Sequence, residues 1–389
     1  MNAATRDDRI DFIRGLALLV IFIDHVPKNL FEPFTLHSFA FCDAAEVFFF
    51  ISGYVAAMVY GRAMLKKGFV AAAKKVWRRA GVVYLAQLGL MAAVLSLVWF
   101  FIELTGDETY RWVFRAQWVF EAPLAYLWPA LTMHFQPGYL DILPSYVVLL
   151  AAFPLVLKGL EKNIWAVLLP SFALWLAVQV FGLTLWTTSG ERWFFDPFAW
   201  QFIFVLGACI GHPARAGTWR FADDRRLYWA ALAIVIPIAL IQISETLSLY
   251  TWFVPSLRPH TLLLDKTALG ALRLVSFFAL LVVVRRHLPA PGFLSRQPWG
   301  LAAIRCGRFS LPVFSFGVLL SSLTAVSAVL SGGNYLVQSL LCVAGVAAQF
   351  VYAAWRDARK QEALWDMAQR EGPSLLAEVA PLRSHMSRR

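Results

Sequence analysis

Charge is scarce in this chain. Asp, Glu, Lys and Arg together make up 15% of its 389 residues, while 59% are hydrophobic. A soluble domain carries roughly 25% charged and 45–50% apolar residues, so this balance excludes an ordinary globular domain in water. Cysteine is nearly absent: Cys42, Cys209, Cys306 and Cys342 form no CxxC pair and no zinc-spaced cluster with histidine. That excludes a disulfide framework or a cysteine-built metal site, and the four read as apolar filler. No GxxxxGK[ST], GxSxG or HExxH occurs, which removes local support for nucleotide-driven pumping, serine-hydrolase and zinc-protease chemistry. His37 and Asp43 stand six positions apart and miss the His-x4-Asp spacing of soluble-type glycerolipid acyltransferases. No Pro/Ser-rich linker, internal repeat or low-complexity tract divides the chain. The stretch after Ile10 lacks a small-residue cleavage site and carries Asp11, Arg14, Asp24 and His25, so it reads as a retained first span rather than a signal peptide.

What is abundant is long apolar runs. Spans are predicted near 10–28, 40–60, 81–104, 138–157, 164–183, 198–212, 228–247, 267–285, 309–330 and 335–354, the sixth of them short. Runs near 20 residues cross a hydrocarbon core as helices. The expected fold is all-α: a polytopic bundle of about ten spans over residues 1–355, with a polar tail over 356–389 that reads from Asp357 as a short cytoplasmic helix fraying into disorder. The net charge of +11 could suggest nucleic acid, but Lys and Arg gather in alternate loops. With the N-terminus in the cytoplasm, 28 of the 35 basic residues fall on that side, so both termini are expected there and no nucleic-acid partner is. The long segment from Thr105 to Pro137 holds Trp112, Trp118, Tyr126, Trp128 and Phe135. It is expected to lie along the outer interface as an amphipathic lid.

Ionisable residues inside apolar runs carry the functional signal, because a charge in hydrocarbon is expensive. Asp11 and Arg14 are three apart in the first span and can pair. Arg14 and His25 are eleven apart, within about 20° of the same helix face and about 16 Å apart along the axis. Gly15 and Leu18 are read as completing that face. Asp24 is rotated by about 100° from His25 and is not its automatic partner. Either His25 is a general base and Arg14 an anion clamp, or the two serve topology and interhelical bonding. In the second span, Glu46 sits among Phe48, Phe49 and Phe50 and needs a partner; Ser52 and Gly53 allow close approach of a helix or an acyl chain. Tyr139 and Asp141 open the fourth span, Asp196 and Gln201 the sixth, and Asp265 and Lys266 the eighth, with Arg273 inside it. All lie at the level of His25 and suggest an outer polar site, although Asp196 before Pro197 is also a good helix cap.

The segments Arg9–Ile10–Asp11–Phe12–Ile13–Arg14–Gly15–Leu16–Ala17, then His25, then Glu46 through Tyr54 resemble the opening of the membrane acyltransferase-three superfamily. The segments Phe135–Pro144, Asp196–Gln201, Asp265–Arg273 and Gly307–Phe314 are similar to one branch of it, the OpgC family. The resemblance covers about residues 5–355. It implies an integral protein of the bacterial inner membrane that transfers an acyl group, succinyl from succinyl-CoA, to hydroxyls of osmoregulated periplasmic glucans. No bound cofactor or metal is implied; acyl-CoA is the donor substrate, and the bilayer, the glucan and glucan-synthesis proteins are the partners. On that reading His25 is the base and Glu46 or Asp24 orients it. Arg14, Asp11, Gly15, Ser52, Gly53 and Arg62 take the donor. Tyr139, Asp141, Asp196, Gln201, Asp265, Lys266 and Arg273 face the acceptor. The family often places a histidine where this chain has Ser276. Acetyl transfer to another glycan, transport of a small anion or lipid-linked sugar, and a scaffold role remain as alternatives.

Overall fold

Asp7 accepts the backbone N–H of Arg9 and caps the first helix, α1 (Asp8–His25). The chain then makes two short 3-10 turns, Glu32–Phe34 and Leu36–Ser38. α2 (Ala44–Lys67) starts on a capping box, in which Asp43 caps the helix and Glu46 reaches back to the Asp43 backbone N–H at 2.9 Å. Gly68, at φ +80°, turns the chain directly into α3 (Phe69–Thr105). This computed structural model describes residues 7–213, 224–246 and 262–371. Arg6, Arg215, Arg220, Arg258, Arg383, Arg388 and Arg389, which contribute to the predicted orientation, and the end of the polar tail lie outside the described residues.

Three short helices follow α3: α4 (Thr109–Val113), α5 (Gln117–Glu121) and α6 (Pro123–Leu131). Then come α7 (Ile142–Lys162), α8 (Trp165–Phe181), α9 (Pro197–Gly211) and α10 (Arg225–Thr246). The chain continues through α11 (Ala271–His287), α12 (Phe293–Arg296), α13 (Pro298–Arg308), α14 (Ser310–Leu330) and α15 (Tyr335–Glu371). No strand occurs among the described residues beyond one isolated bridge, Trp186 to Arg192. The fold is all-helical, and six of the described helices are long and apolar enough to cross a membrane: α2, α3, α7, α10, α14 and α15. α8 and α9 are apolar but shorter.

Two helices outrun the predicted spans. α3 has 37 residues, about 55 Å, and so projects well beyond a core of about 30 Å through its Lys74–Arg79 end. α15 also has 37 residues and passes through position 356 without a break. The predicted boundary between membrane domain and tail therefore falls inside one helix, which Asp357 ties to Arg305 of α13 at 3.1 Å. The eleven-residue α13 falls between the predicted spans 267–285 and 309–330. It is too short for a span, and its buried side, Ala303 and Gly307, lies against α1.

Glycine sets the closest crossings. A side chain at Gly15 would meet the Ala303 carbonyl, and one at Gly307 would meet the Asp11 carbonyl. α1 and α13 thus approach backbone to backbone. In the same way Gly53 faces the Phe204 carbonyl and Gly207 faces the Phe50 carbonyl, joining α2 to α9. Small residues at such crossings are the usual basis of helix packing in membranes. The buried core centres on the aromatic cluster Phe48, Phe49, Phe153, Trp200 and Phe204.

Candidate functional site

At the end of the bundle where α1 finishes and α2, α7 and α9 begin, a cavity of about 520 Å³ opens. His25, in the last turn of α1, lines it. Its Nδ1 lies 2.5 Å from the Ile21 carbonyl. A carbonyl only accepts, so Nδ1 carries the hydrogen, and Nε2 is left as the nitrogen able to take a proton. The Tyr139 ring stands edge-on to the imidazole, with centroids 5.2 Å apart. Tyr139 adopts φ +69°, a left-handed conformation that a bulky residue rarely takes. It is fixed by the turn Gln136–Pro137–Gly138, whose Gly138 N–H donates to the Phe114 carbonyl at 2.8 Å. Strain of this kind concentrates at functional sites. Asp141, two residues further and just before α7, lies within electrostatic reach of His25, Lys266 and Arg115. The far wall comes from the segment after α3 (Val113, Arg115, Trp118, Phe135) and from Thr187–Arg192.

Behind this cavity four charges neutralise one another. The fully buried Glu46 receives Arg273 Nη2 at 2.6 Å and Nε at 2.7 Å. Asp43 holds Lys266 at 2.5 Å and Arg273 at 3.3 Å. Two acids and two bases thus form one network linking the start of α2 to α11 and the turn before it. Ser276 Oγ accepts the Phe41 N–H at 3.1 Å and braces the same junction.

On the other side of His25 lies a smaller cavity of about 110 Å³, lined by Arg14, Ser52, Tyr60, Arg79, Tyr146 and Phe314. Arg14 Nη2 also reaches the Ile51 carbonyl at 3.5 Å. A narrow space lined by Leu18, His25, Tyr139, Phe314, Ser321 and Gln349 lies between the two. Phe314 lines both this space and the Arg14 cavity, while His25 and Tyr139 line both this space and the outer cavity. The three spaces form a column, with two arginines at one end, Phe314 across a middle of only about 10 Å³, and the imidazole at the other end.

The predicted site residues divide accordingly. His25, Asp24, Tyr139, Asp141 and Lys266 meet in the outer cavity. Arg14 and Ser52 meet in the inner one. Neither predicted orienting carboxylate holds the imidazole: Asp24 pairs with His37 at 3.5 Å and Glu46 with Arg273. The Asp24 carboxylate, despite partial burial of the ring, holds His37 above its ordinary pKa. Asp11 faces Arg308 at 3.8 Å. Gly15 and Gly53 sit in helix crossings, and Arg62 lines neither cavity. Asp196 caps α9 by accepting the Phe198 N–H at 2.9 Å. Gln201 bonds Ser171 and joins α8 to α9. Asp265 accepts the Thr267 N–H at 2.9 Å within its own turn. Sequence reasoning missed Asp43, although Asp43–Ala44–Ala45–Glu46 is a capping-box pattern, and Arg79, which sits among other basic residues and carries no distinguishing signal. Among the described residues no group of His, Cys, Asp and Glu is arranged to hold a metal ion.

A family model described as OpgC protein matches residues 6–361, nearly the whole chain. No curated protein and no solved structure matches it.

Proposed function

The chain belongs to the OpgC family, and from that membership we propose that it is an integral O-acyltransferase of the bacterial inner membrane, moving succinyl from succinyl-CoA to hydroxyls of osmoregulated periplasmic glucans. The family match and the apolar helices fit a membrane acyltransferase. The observation that carries the finer reading is the column joining the Arg14 cavity to His25 and the outer cavity. In this reading α1, α8, α9 and α11 complete about ten spans and both termini are cytoplasmic, in keeping with the positions of Lys and Arg.

The donor enters from the basic end. Arg62, Lys66 and Arg78 hold its nucleotide phosphates, and Arg14 with Arg79 takes the anionic part nearest the bundle. The thioester arm passes Ser52 and Phe314 to reach His25. Gly15 and Gly53 serve by closing the helices around this path. The sugar occupies the outer cavity, whose aromatic walls and scattered carboxylates suit a neutral polyhydroxyl chain. A sugar hydroxyl attacks the thioester carbonyl carbon, and His25 Nε2 takes the hydroxyl proton. The tetrahedral oxyanion draws on the Tyr139 hydroxyl. The C–S bond then breaks, the thiolate leaves with the proton returned by His25, and an ester remains on the glucan. Asp141 supports the transient imidazolium, the role first expected of Glu46 or Asp24. Lys266 meets the free carboxylate of a succinyl group, while Arg273 stays engaged with Glu46. Asp196, Gln201 and Asp265 keep the acceptor-side helices in place.

Mass spectrometry of periplasmic glucans tests this. A deletion strain complemented with the wild-type gene should regain the mass increment of a succinyl ester. An acetyl increment would change the donor and keep the enzyme class. Identical glucans with and without the gene would overturn the glucan assignment in favour of another glycan or a transporter.

A further inference from the structure

The narrow space between the two cavities is apolar except for four residues: His25 and Tyr139, already placed, and Ser321 and Gln349. Gln349 lies on α15 and is fully buried. Its Nε2 reaches the Gly345 carbonyl at 3.5 Å. Among the described residues nothing donates to its Oε1. That oxygen is at the narrow space, because a side chain added at Gly317, which lines the space, would stand 3.3 Å from it. Gly317 is three residues beyond Phe314 on α14, about 4.5 Å along the axis. Phe314 lines the Arg14 cavity and His25 the outer one, while Gln349 lines neither. The oxygen therefore stands between Phe314 and the imidazole.

A buried acceptor with no donor in the protein is costly and calls for a partner from outside the chain. At about 10 Å³ the space has room for about one water. An arm drawn through it displaces any water there and must then supply a donor to Oε1 itself. A thioester of coenzyme A carries one, the amide N–H two methylenes behind its sulfur. An arm that reaches His25 from the Arg14 cavity brings this amide past the apolar walls Leu18, Phe22 and Val318. We infer that Gln349 binds the acyl donor, its Oε1 accepting the N–H of the amide nearest the thioester. This rests on the acyltransferase reading above. Gln349 moves no proton; it fixes how far the arm advances and so sets the thioester carbonyl at His25.

Two donors separate this role from packing: the acyl-CoA, and an analogue in which that one amide is an ester and the N–H is gone. Transfer by full-length protein in proteoliposomes gives kcat/KM for each. Wild type should prefer the amide donor at least about fivefold, the scale of one hydrogen bond. Gln349→Met keeps the length of the side chain, loses the acceptor, and should reduce the preference to below about twofold. Gly317→Ala sets a methyl against Oε1 with Gln349 intact and should reduce it in the same way; it takes the place of Gln349→Met if that variant fails to fold. Equal use of the two donors by wild type would overturn the inference and leave Gln349 to a resident water. A preference that survives the substitution would overturn it too, with the amide bound by another group. Transfer from neither donor in wild type would instead remove the acyltransferase reading, and the inference with it.

Discussion

Removing Glu46 should be among the most damaging single changes in the protein. Its side chain is fully buried and does two things: it closes the capping box of α2 by accepting the Asp43 N–H, and it neutralises Arg273 at 2.6 Å. Arg273 is itself only 11% exposed. In Glu46→Ala the guanidinium keeps Asp43 at 3.3 Å, but Asp43 is already committed to Lys266 at 2.5 Å. Breaking a buried pair from one side costs about 3–5 kcal/mol, because a charge is stranded, and that range should hold here. Replacing both partners removes the stranded charge. Glu46→Ala combined with Arg273→Met should therefore be less destabilised than Glu46→Ala alone, with a coupling of about 1–3 kcal/mol. Equilibrium unfolding in mixed micelles of wild type, both single variants and the double variant supplies the cycle. Additive losses, or an Arg273→Met effect no larger than that of the exposed Arg286→Gln, would refute the reasoning.

Three further outcomes follow from the same geometry. Arg14→Met should raise KM for the acyl donor by about 10–100-fold, the equivalent of one charged hydrogen bond of about 1.5–3 kcal/mol, with a smaller change in kcat; a kcat effect alone would move Arg14 out of donor binding. Tyr139→Phe should preserve the ring contact with His25 and lower kcat by removing the hydroxyl, whereas an unchanged kcat would assign Tyr139 to shaping the turn. His37 has a folded pKa raised by Asp24, so the stability of that pair is fully present below the ordinary histidine value of about 6.5 and is lost as pH rises through the raised one. The half-exposed ring limits the effect to below about 1 kcal/mol, and a pH titration of unfolding should show this component in wild type and not in His37→Gln.

Much of the bundle was legible because span length and apolar content are properties of the chain itself. The predicted 309–330 and the observed α14 nearly coincide. Failures arose where helices do something other than cross. α13 has the length of a loop and carries Arg305 and Arg308, so only its packing on α1 reveals it. From Asp357 the sequence reads as a short separate helix of the tail, yet the Ala-, Gln- and Glu-rich stretch has good helix propensity and continues α15 without a break to Glu371.

For the site, helix periodicity correctly set Arg14, Leu18 and His25 along one line, since all three face the column. Gly15 was assigned to the same face, but one residue is a turn of about 100°, and its missing side chain faces α13. Pairing across helices was not legible. Nothing local says that Glu46 meets Arg273, 227 positions away, or that Asp24 meets His37 rather than His25. Asp196 and Asp265 show the reverse limit: an acid at a helix start reads the same whether it caps a backbone or binds a ligand, and in both cases the backbone takes it.

Acyl transfer at His25 in the outer cavity is the central step of the proposed function. Its most direct test is single-turnover acyl transfer in proteoliposomes, with acyl-CoA on one side, glucan on the other, and wild type compared with His25→Asn. The asparagine amide can still donate to the Ile21 carbonyl and so keep the end of α1 in place, but it cannot take a proton. A fall of about 10²–10⁴-fold in rate, with donor binding unchanged, is the predicted result. Transfer at the wild-type rate in His25→Asn would contradict it.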